Sequence, residues 1–220
     1  MSRVLKDILF EQVARVGKAL SSPKRLQILE RLSQSERTVE VLANELGMSI
    51  KLASAHLKAL KAAHLIEGRR DGRFIAYRTT GPDVAALWAN LHTVATEHLV
   101  ELRVALNQIL SDPERLTPQT RLSLLRMARD GEVVVIDVRP ETEYDAGHLP
   151  HARSIPLAEL ERRLNELPKD KKIIAYCRGP FCLLSNEAAV FLRKRGYDAG
   201  KIGDGVAEWA AAGLPVERGG

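Results

Sequence analysis

The sequence predicts two domains of different fold class: a mainly α-helical domain with a β-hairpin, followed by an α/β domain with a parallel sheet. From Met1 to about Leu110, apolar residues recur at the i, i+3, i+4 spacing of amphipathic helices. Further on, short β-branched runs such as EVVVIDV and KKIIAY alternate with helical stretches. Buried strands interleaved with helices are typical of a parallel sheet covered by helices.

A proline-containing segment separates these two patterns. SDPERLTPQT, from Ser111 to Thr120, holds two prolines and few apolar residues, which is typical of an interdomain linker. We therefore predict a first domain at residues 1–110, a linker at 111–120 and a second domain at 121–220.

The composition of the 220-residue chain fits two ordinary globular domains and hints at an anionic partner. Hydrophobic residues make up 45% and charged residues 28%, and the formal net charge is +5. The first residues include Lys6, Asp7 and Glu11, unlike a signal peptide, and no apolar run approaches the ~20 residues that span a bilayer. Two cysteines cannot build a disulfide framework, so we expect a cytoplasmic protein with reduced thiols and no membrane partner.

The middle of the first domain predicts two short helices followed by a β-hairpin. Thr38 is suited to cap the first helix, Gly47 to end it and Ser49 to cap the second. Asp71-Gly72 stands where a tight hairpin turn is needed. This order of elements is that of a winged helix-turn-helix, in which the hairpin is the wing.

The second of these helices has one apolar and one cationic face. Ile50, Ala53, Leu57 and Leu60 share the apolar face, and the other carries Lys51, Ser54, Lys58 and Lys61. A merely solvated charged face is the alternative interpretation. A cationic helix in register with a turn and a basic hairpin favours entry into a DNA major groove with flanking phosphate contacts.

Nearly all of residues 10–110 resembles the ArsR-type winged-helix repressors. The segments ALSSPKRLQILERL and ELGMSIKLASAHLKALKAAHLIEGRRDGRFIAYRTT carry the resemblance. It implies a homodimer joined through the first and last helices, with double-stranded DNA as the partner. The residues that it places against DNA are Ser49, Lys51, Ser54, His56 and Lys58 in the helix and Arg69, Arg70 and Arg73 in the wing.

The chain departs from the metal-sensing members of that family. The segment RTVEVLANEL, where many of them carry cysteines, has none. His92, His98 and Glu101 fall in the long helix predicted from Pro82 to Ile109, but the two histidines are six residues apart and face different directions. We expect no metal site and interpret them as solvent-facing or dimer-interface residues.

The second half resembles the rhodanese family over about residues 120–218. The motifs are VVVIDVRPETEYDAGHLPHARSIPLAEL and, near the end, GDGVAEWAAAGLPVE. The first begins with a strand that ends in polar residues, at the edge where α/β sheets build their sites. We interpret its polar residues as a hydrogen-bonded scaffold instead of catalytic groups: Asp137, Arg139, Glu143 and His148.

Both cysteines lie in one loop, CRGPFC, between a predicted strand and a helix for which Ser185 is the predicted N-cap. Backbone N–H groups and the positive helix end at such a turn stabilise a thiolate, and Arg178 adds positive charge. The residue directly after the strand, Cys177, is therefore the predicted nucleophile. Rhodaneses accept sulfane sulfur at this position, so the resemblance implies a covalent persulfide on Cys177 and no other cofactor. The loop residues that complete the site are Gly179, Pro180 and Phe181.

The loop also departs from its family, since it is longer than a compact sulfurtransferase loop and contains a second thiol. We interpret Cys182 as a resolving thiol that forms a disulfide with Cys177. A Cys-based phosphatase of the same fold needs an arginine six positions after its cysteine. That position is Leu183 here, which argues against phosphoryl chemistry.

We predict a transcriptional regulator whose rhodanese-like domain senses or carries sulfane sulfur, or an oxidant, at Cys177. The donor would be a small molecule such as thiosulfate or polysulfide. A working sulfurtransferase with an accessory DNA-binding domain stays open as an alternative. A thiol-based sensor of a metalloid such as arsenite ranks lower, because such sites usually use more than two thiols.

Overall fold

The computed structural model of the chain describes residues 2–110 and 118–219. Contacts divide the chain into two units, Met1–Trp88 and Ala89–Gly220. This division falls inside the helix Pro82–His98, and the linker at residues 111–120 stays a prediction. Residues 111–117 of that linker lie outside the described residues, and the remainder, from Pro118, belongs to a helix.

The first unit has the architecture of a winged helix-turn-helix, as predicted. Its elements are α1 (Ser2–Leu20), α2 (Pro23–Leu32), β1 (Arg37–Thr38), α3 (Val39–Glu45), α4 (Ile50–Ala62), β2 (Ile66–Asp71), β3 (Phe74–Thr79) and the start of α5 (Pro82–His98). The antiparallel strand order is β1-β3-β2. Ile28, Leu42, Leu57, Leu60 and Ile66 form the centre of the core.

The caps predicted for α3 and α4 are present. The Thr38 hydroxyl accepts a hydrogen bond from the Val41 N–H at 3.5 Å, and the Ser49 hydroxyl accepts one from the Leu52 N–H at 3.3 Å. Gly47 follows α3 with a φ of +58°, a left-handed conformation that glycine adopts without steric cost. These three residues fix the turn that presents α4.

The wing turns one residue later than the Asp71-Gly72 pair alone indicates. Asp71 pairs with Phe74 as the last rung of the ladder, so Gly72 and Arg73 are the two central residues of the turn. Gly72 has a φ of +58°, as a two-residue hairpin loop requires at its first position.

Apolar residues predicted on helix faces are partly exposed in the single chain. Ile50, predicted on the apolar face of α4, is 53% exposed, because it stands at the start of the helix. The apolar stripe of α1 is also uncovered, with Leu5, Leu9 and Val13 exposed by 56%, 66% and 69%.

The second unit begins within α5 and contains a four-stranded parallel sheet. Its further elements are α6 (Val100–Leu110), α7 (Pro118–Arg129), β4 (Val133–Asp137), α8 (Glu141–Ala146), β5 (Arg153–Ser154), β6 (Lys172–Tyr176), α9 (Leu184–Lys194), β7 (Ala199–Lys201) and α10 (Val206–Ala211). The sheet order is β5-β4-β6-β7. The long helix predicted from Pro82 is divided into α5 and α6 at Leu99.

The sheet of the second unit is covered on both faces and confirms the predicted α/β class. Side chains alternate along β4, so Ile136 packs with Leu192 of α9 in one cluster, and Val135 packs with Trp209 of α10 in another. Since β4 and β6 are parallel, their carboxyl ends meet at one edge and bring Asp137 close to the residue after β6, Cys177. Among the described helices, none is long and apolar enough to cross a membrane.

Candidate functional site

The thiol loop joins β6 to α9 and folds back on itself. The Cys182 N–H donates to the Gly179 carbonyl at 3.1 Å, which closes a four-residue turn with Pro180 at its second position. Proline presets the backbone angle that this position needs. The turn returns Cys182 towards Cys177, and both are free cysteines.

Ser185 was wrongly predicted as the N-cap of the helix that follows. Leu183 is the N-cap, and its carbonyl accepts the Glu187 N–H at 3.0 Å, so the helix begins before Ser185. Ser185 is instead buried in the first turn, where its hydroxyl lies 3.2 Å from the Cys177 sulfur. Nothing in the sequence pattern marked this interaction, because serine is common at both positions.

Cys177 is the buried member of the pair. It is 1% exposed and belongs to the apolar cluster on one face of the sheet. Its sulfur lies 3.5 Å from the Cys182 carbonyl oxygen. Burial raises the pKa of the Cys177 thiol well above its ordinary value, and the adjacent Cys182 thiolate adds to the rise.

Cys182 is partly exposed, and its surroundings favour the thiolate. The hydrogen bond from the Cys177 thiol is the largest cause of a pKa lowered to about 6. Partial burial opposes this shift, while backbone N–H groups of Arg178 and Leu184 and the Arg178 charge support it. The hydrogen-bonding groups predicted to surround Cys177 are thus divided between the two thiols. Ser185 lies at the Cys177 sulfur, and the N–H groups of Arg178 and Leu184 lie at the Cys182 sulfur.

Arg178 holds the loop to α8 through Glu143. Its guanidinium donates from Nε at 2.9 and 3.1 Å and from Nη2 at 2.7 Å to the two carboxylate oxygens. Glu143 has no exposed surface, and the Arg178 side chain is largely buried. Much of the Arg178 charge is therefore balanced by Glu143, and its backbone N–H faces Cys182.

A buried ion pair lies beneath the carboxyl ends of β4 and β6. The Nε of Arg139 donates to both oxygens of Asp137 at 2.9 and 3.1 Å, and its Nη2 donates to the Gly147 carbonyl at 2.7 Å. Tyr176 donates its hydroxyl to Asp137 at 2.5 Å. Tyr176 was not predicted as a site residue, although an aromatic residue ending a central strand is a signal for such a hydrogen bond.

His148 lies next to this pair, not in the thiol loop. Its Nδ1 is 2.9 Å from the Tyr144 carbonyl oxygen, and its ring stacks on that of Tyr144 with centroids 3.7 Å apart. It therefore packs between α8 and the segment leading to β5, and it is buried.

Two buried side chains of the second unit border the thiol loop. Glu208 Oε2 accepts the Gly205 N–H at 2.7 Å, and its Oε1 lies 2.7 Å from His92 Nε2. A Cβ added at Gly179 would meet Glu208 Oε2 at 2.9 Å, and Gly179 has a φ of +136°, so this position requires glycine. The His92 ring is 5.5 Å from that of Phe181.

His92 was predicted to face solvent or a dimer interface. The first of these is wrong, because His92 is 4% exposed. His98 and Glu101 are exposed. No three His, Cys, Asp or Glu side chains within the described ranges are placed to hold a metal ion.

A cavity of about 590 Å³ opens beside the loop. Arg178 and Leu184 line the side nearest the thiols, and Val138, Pro140, Pro156 and Leu157 supply apolar walls. Glu141 and Glu159 add carboxylates. The cavity is large enough for a small sulfur donor. It lies next to Arg178 and Leu184, whose backbone N–H groups donate to Cys182.

The predicted DNA-contacting residues of α4 lie on one exposed surface. Lys51, Ser54 and Lys58 are exposed, and Ser49 is the helix cap. His56 is half-buried, and burial, followed by the charges of neighbouring basic residues of α2, lowers its pKa. His56 is thus less suited to contact a phosphate as a cation than the lysines are.

The three wing arginines differ in their surroundings. Arg69 donates to Glu36 at 2.8 Å, so its charge is partly balanced within the protein. Arg70 donates to the Gly72 carbonyl at 3.3 Å, and the Arg73 guanidinium lies 4.9 Å from the centroid of the Phe74 ring. All three are exposed.

Two family models match this chain. Residues 22–67 match the bacterial regulatory proteins of the arsR family, and residues 120–212 match the rhodanese-like domain. Both matches agree with the resemblances drawn from the sequence motifs.

The chain is similar to a curated regulator over nearly its whole length. It is 49% identical over 214 residues to the HTH-type transcriptional regulator Rv0324 of Mycobacterium tuberculosis, covering 97% of this chain and 94% of that protein. It is also 32% identical over 92 residues to a sulfurtransferase of Allochromatium vinosum, covering 41% of this chain and 84% of that protein.

A solved structure is similar to the N-terminal part. It is the NMR structure of the homodimeric winged helix-turn-helix DNA-binding domain (fragment 1–100) of Mb0332 from Mycobacterium bovis, described as a possible ArsR-family regulator. The two are 52% identical, with a TM-score of 0.42 and coverage of 44% of this chain and 89% of that one.

Proposed function

Because the chain belongs to the ArsR-family HTH transcriptional regulators that carry a C-terminal rhodanese-like domain, we propose that it binds DNA and senses sulfane sulfur or an oxidant. The observation that carries the sensing role is the pair of free thiols, Cys177 and Cys182, in one loop that brings the Cys177 sulfur within 3.5 Å of the Cys182 carbonyl oxygen. The pKa of Cys182, lowered to about 6, supports a reactive role, because a thiolate is the nucleophilic form of cysteine.

The DNA-binding part acts as a homodimer with double-stranded DNA. The exposed apolar stripe of α1, which includes Leu5, Leu9 and Val13, offers a surface for a second copy of the chain. Each α4 enters a major groove on successive turns, about 34 Å apart. Lys51 and Lys58 contact DNA there, and the wing contacts phosphates alongside. Double-stranded DNA as the proposed partner supports a location in the cytoplasm.

The thiol loop has a physical route to α5. Phe181 of the loop lies against His92 of α5, and His92 contacts Glu208, which in turn lies against Gly179. Helix α5 contains residues of both units, and Trp88 is the last residue of the first unit. A change in the loop caused by thiol chemistry alters the surroundings of His92 and, through it, the helix that follows the wing.

The test compares DNA affinity before and after sulfur treatment. A duplex is first selected from a random library by the reduced full-length protein. Its affinity is then measured for reduced and for tetrasulfide-treated protein, with modification of the thiols verified by mass spectrometry. We expect treatment to change the affinity of the wild type. An unchanged affinity with demonstrably modified thiols would overturn the sensing role.

Similarity to a sulfurtransferase supports a second candidate function, steady sulfur transfer from thiosulfate or polysulfide to a thiol acceptor. The discriminating measurement is turnover with thiosulfate and cyanide. Sustained thiocyanate production together with an unchanged DNA affinity supports the enzyme. A single stoichiometric reaction with a changed affinity supports the regulator.

A further inference from the structure

We propose that Cys182, and not the strand-end Cys177, is the thiolate that first takes sulfur, and that buried Cys177 is the resolving thiol. This inference rests on the proposed function, since it assigns roles within the same loop. It reverses the order that the sequence analysis took from the rhodanese resemblance.

Access to the two sulfurs is the first observation. A donor must approach the attacking sulfur along the bond that breaks, so that sulfur needs an open face. Cys177 is 1% exposed, within the apolar cluster of the sheet. Cys182 is partly exposed and lies one residue before the helix cap, Leu183. With the loop as it stands, a donor reaches Cys182 more readily.

The donors around each sulfur are the second observation. Cys182 receives the thiol hydrogen of Cys177 and backbone N–H groups of Arg178 and Leu184. The same donors stabilise the negative charge of a persulfide left on Cys182. Burial raises the pKa of Cys177, so Cys177 is the protonated member of the pair before reaction, and its thiol can donate to Ser185 Oγ at 3.2 Å or to the Cys182 carbonyl at 3.5 Å. A thiolate, not a thiol, is the attacking species.

The first step is a displacement on sulfane sulfur. With tetrasulfide as donor, the Cys182 thiolate attacks a terminal sulfur, a new S–S bond forms, and trisulfide leaves with the electron pair of the broken bond. With thiosulfate, the attacked sulfur is the sulfane atom and sulfite leaves. In both cases the total charge is conserved, and the product is a Cys182 persulfide anion.

The second step is resolution by Cys177. Its sulfur attacks the inner sulfur of the persulfide, which is the Sγ of Cys182, and a disulfide forms between the two residues. The outer sulfur leaves with the electron pair and takes the Cys177 proton as hydrosulfide. The transferred sulfur is reduced to sulfide, and the two thiol sulfurs are oxidised to the disulfide. No further oxidant is needed.

The geometry places the resolving thiol ready for this step. The Cys177 sulfur lies 3.5 Å from the carbonyl oxygen of Cys182, the residue whose sulfur it must attack. The Ser185 hydroxyl, 3.2 Å from the Cys177 sulfur, supports the negative charge that develops there when the proton leaves. The turn closed by the Cys182 N–H and the Gly179 carbonyl keeps Cys177 and Cys182 in the same loop and directs Cys182 back towards Cys177.

Competitive alkylation of the reduced wild-type protein tests which thiol reacts first. Trypsin cleaves after Arg178, so Cys177 falls on peptide 173–178 and Cys182 on peptide 179–193. With substoichiometric iodoacetamide at pH 7, we expect the second peptide to be labelled at least about tenfold faster, since only its thiol is mostly ionised. The rate should rise with pH to a plateau above a midpoint near 6. Faster labelling of peptide 173–178 would overturn the assignment.

Sulfur uptake by variants tests the two roles separately. Tetrasulfide should leave a lasting persulfide on Cys182 in Cys177→Ser, with no sulfide released, and should leave the remaining thiol of Cys182→Ser unmodified over the same time. Cys177→Ala serves as a second variant if serine in the apolar cluster disturbs folding, and circular dichroism checks both. Uptake by Cys182→Ser at the wild-type rate would overturn the inference and leave the proposed function intact. A different result, selective alkylation of Cys182 with no sulfur uptake by the wild type, would support the reactivity order of the two thiols and refute the proposed function.

Discussion

Arg178 donates three hydrogen bonds, 2.7 to 3.1 Å long, to the fully buried carboxylate of Glu143. The pair connects the residue after Cys177 to helix α8, so the loop is held by an interaction that water does not screen. Removing one partner of a buried ion pair destabilises a protein more than removing a surface pair does.

We predict that Arg178→Ala lowers the free energy of unfolding of the protein by about 3 to 5 kcal/mol. The reason is that the Glu143 carboxylate loses its guanidinium partner while staying buried. Urea unfolding followed by circular dichroism measures the change. Arg162→Ala is the control, because Arg162 is 77% exposed and pairs with Glu159 at 3.4 Å. It should change stability by less than about 1 kcal/mol, and equal losses from both variants would contradict the prediction.

Ser185→Ala should slow resolution without slowing the first attack. Its hydroxyl lies at the Cys177 sulfur, and this hydrogen bond lowers the pKa of that thiol against the larger effect of burial. Without the hydroxyl, Cys177 ionises less readily. After tetrasulfide treatment, the Cys182 persulfide should accumulate to a higher level than in the wild type, as measured by mass spectrometry over time.

The matched control for this experiment is Ser123→Ala, whose hydroxyl lies on α7 and contacts Met127. It should leave the time course unchanged. A Ser185→Ala protein with wild-type sulfide release would show that the hydroxyl plays no part in resolution.

His92→Ala should separate thiol chemistry from DNA affinity. His92 contacts Phe181 and Glu208 beside the loop, and it is not among the groups that shift the pKa of either thiol. Alkylation of Cys182 should therefore keep its rate, within about twofold, while tetrasulfide changes DNA affinity less than in the wild type. His98→Ala, on the exposed end of α5, is the control and should respond like the wild type. A full response in His92→Ala would exclude this route.

Much of the fold could be predicted because its signals are local. The caps at Thr38 and Ser49, the glycine at 72 and the β-branched run of β4 each depend on residues a few positions apart. The class of both domains followed from the order of these elements. The end of the first unit at Trp88 could not be predicted in this way, because it depends on what α5 packs against.

The candidate site was predictable in position but not in detail. The strand-loop-helix pattern indicates where two thiols lie, yet a buried and an exposed cysteine look alike in a sequence. The Leu184 N–H at Cys182 depends on where α9 begins, and the burial of Cys177 depends on the apolar cluster around it. The three hydrogen bonds between Glu143 and Arg178 join residues 35 positions apart, and no local pattern shows such a pairing.

A dimer formed through α1 should be broken by charge on its apolar stripe. Leu9→Glu with Val13→Glu places two carboxylates on a surface where both side chains are more than half exposed in the single chain. Sedimentation velocity at micromolar concentration should show a dimer for the wild type and a monomer for the double variant. Ala14→Glu adds the same charge away from the stripe and should stay dimeric. A wild type that is already monomeric would refute the proposed assembly.

Replacing the wing arginines should weaken DNA binding for all sequences alike. In Arg70→Ala with Arg73→Ala, two exposed cations are removed from the wing, where we expect them to meet phosphates, which carry no sequence information. Affinity for the selected duplex and for a random duplex should fall by the same factor. The slope of log affinity against log salt should decrease by about one for each phosphate that the variant no longer neutralises.

Arg69→Ala should have a smaller effect than either of those two arginines, because Arg69 already pairs with Glu36 at 2.8 Å and must give up that pair to meet a phosphate. Arg129→Ala, an exposed arginine on α7 of the second unit, is the control for a general reduction of positive charge. Fluorescence anisotropy over a range of salt concentrations measures the wild type, the double variant and the single variants Arg69→Ala, Arg70→Ala, Arg73→Ala and Arg129→Ala. An affinity decrease with Arg129→Ala equal to that of the wing variant would mean that net charge, and not the wing, determines the affinity. A decrease confined to the selected duplex would mean that these arginines contact bases.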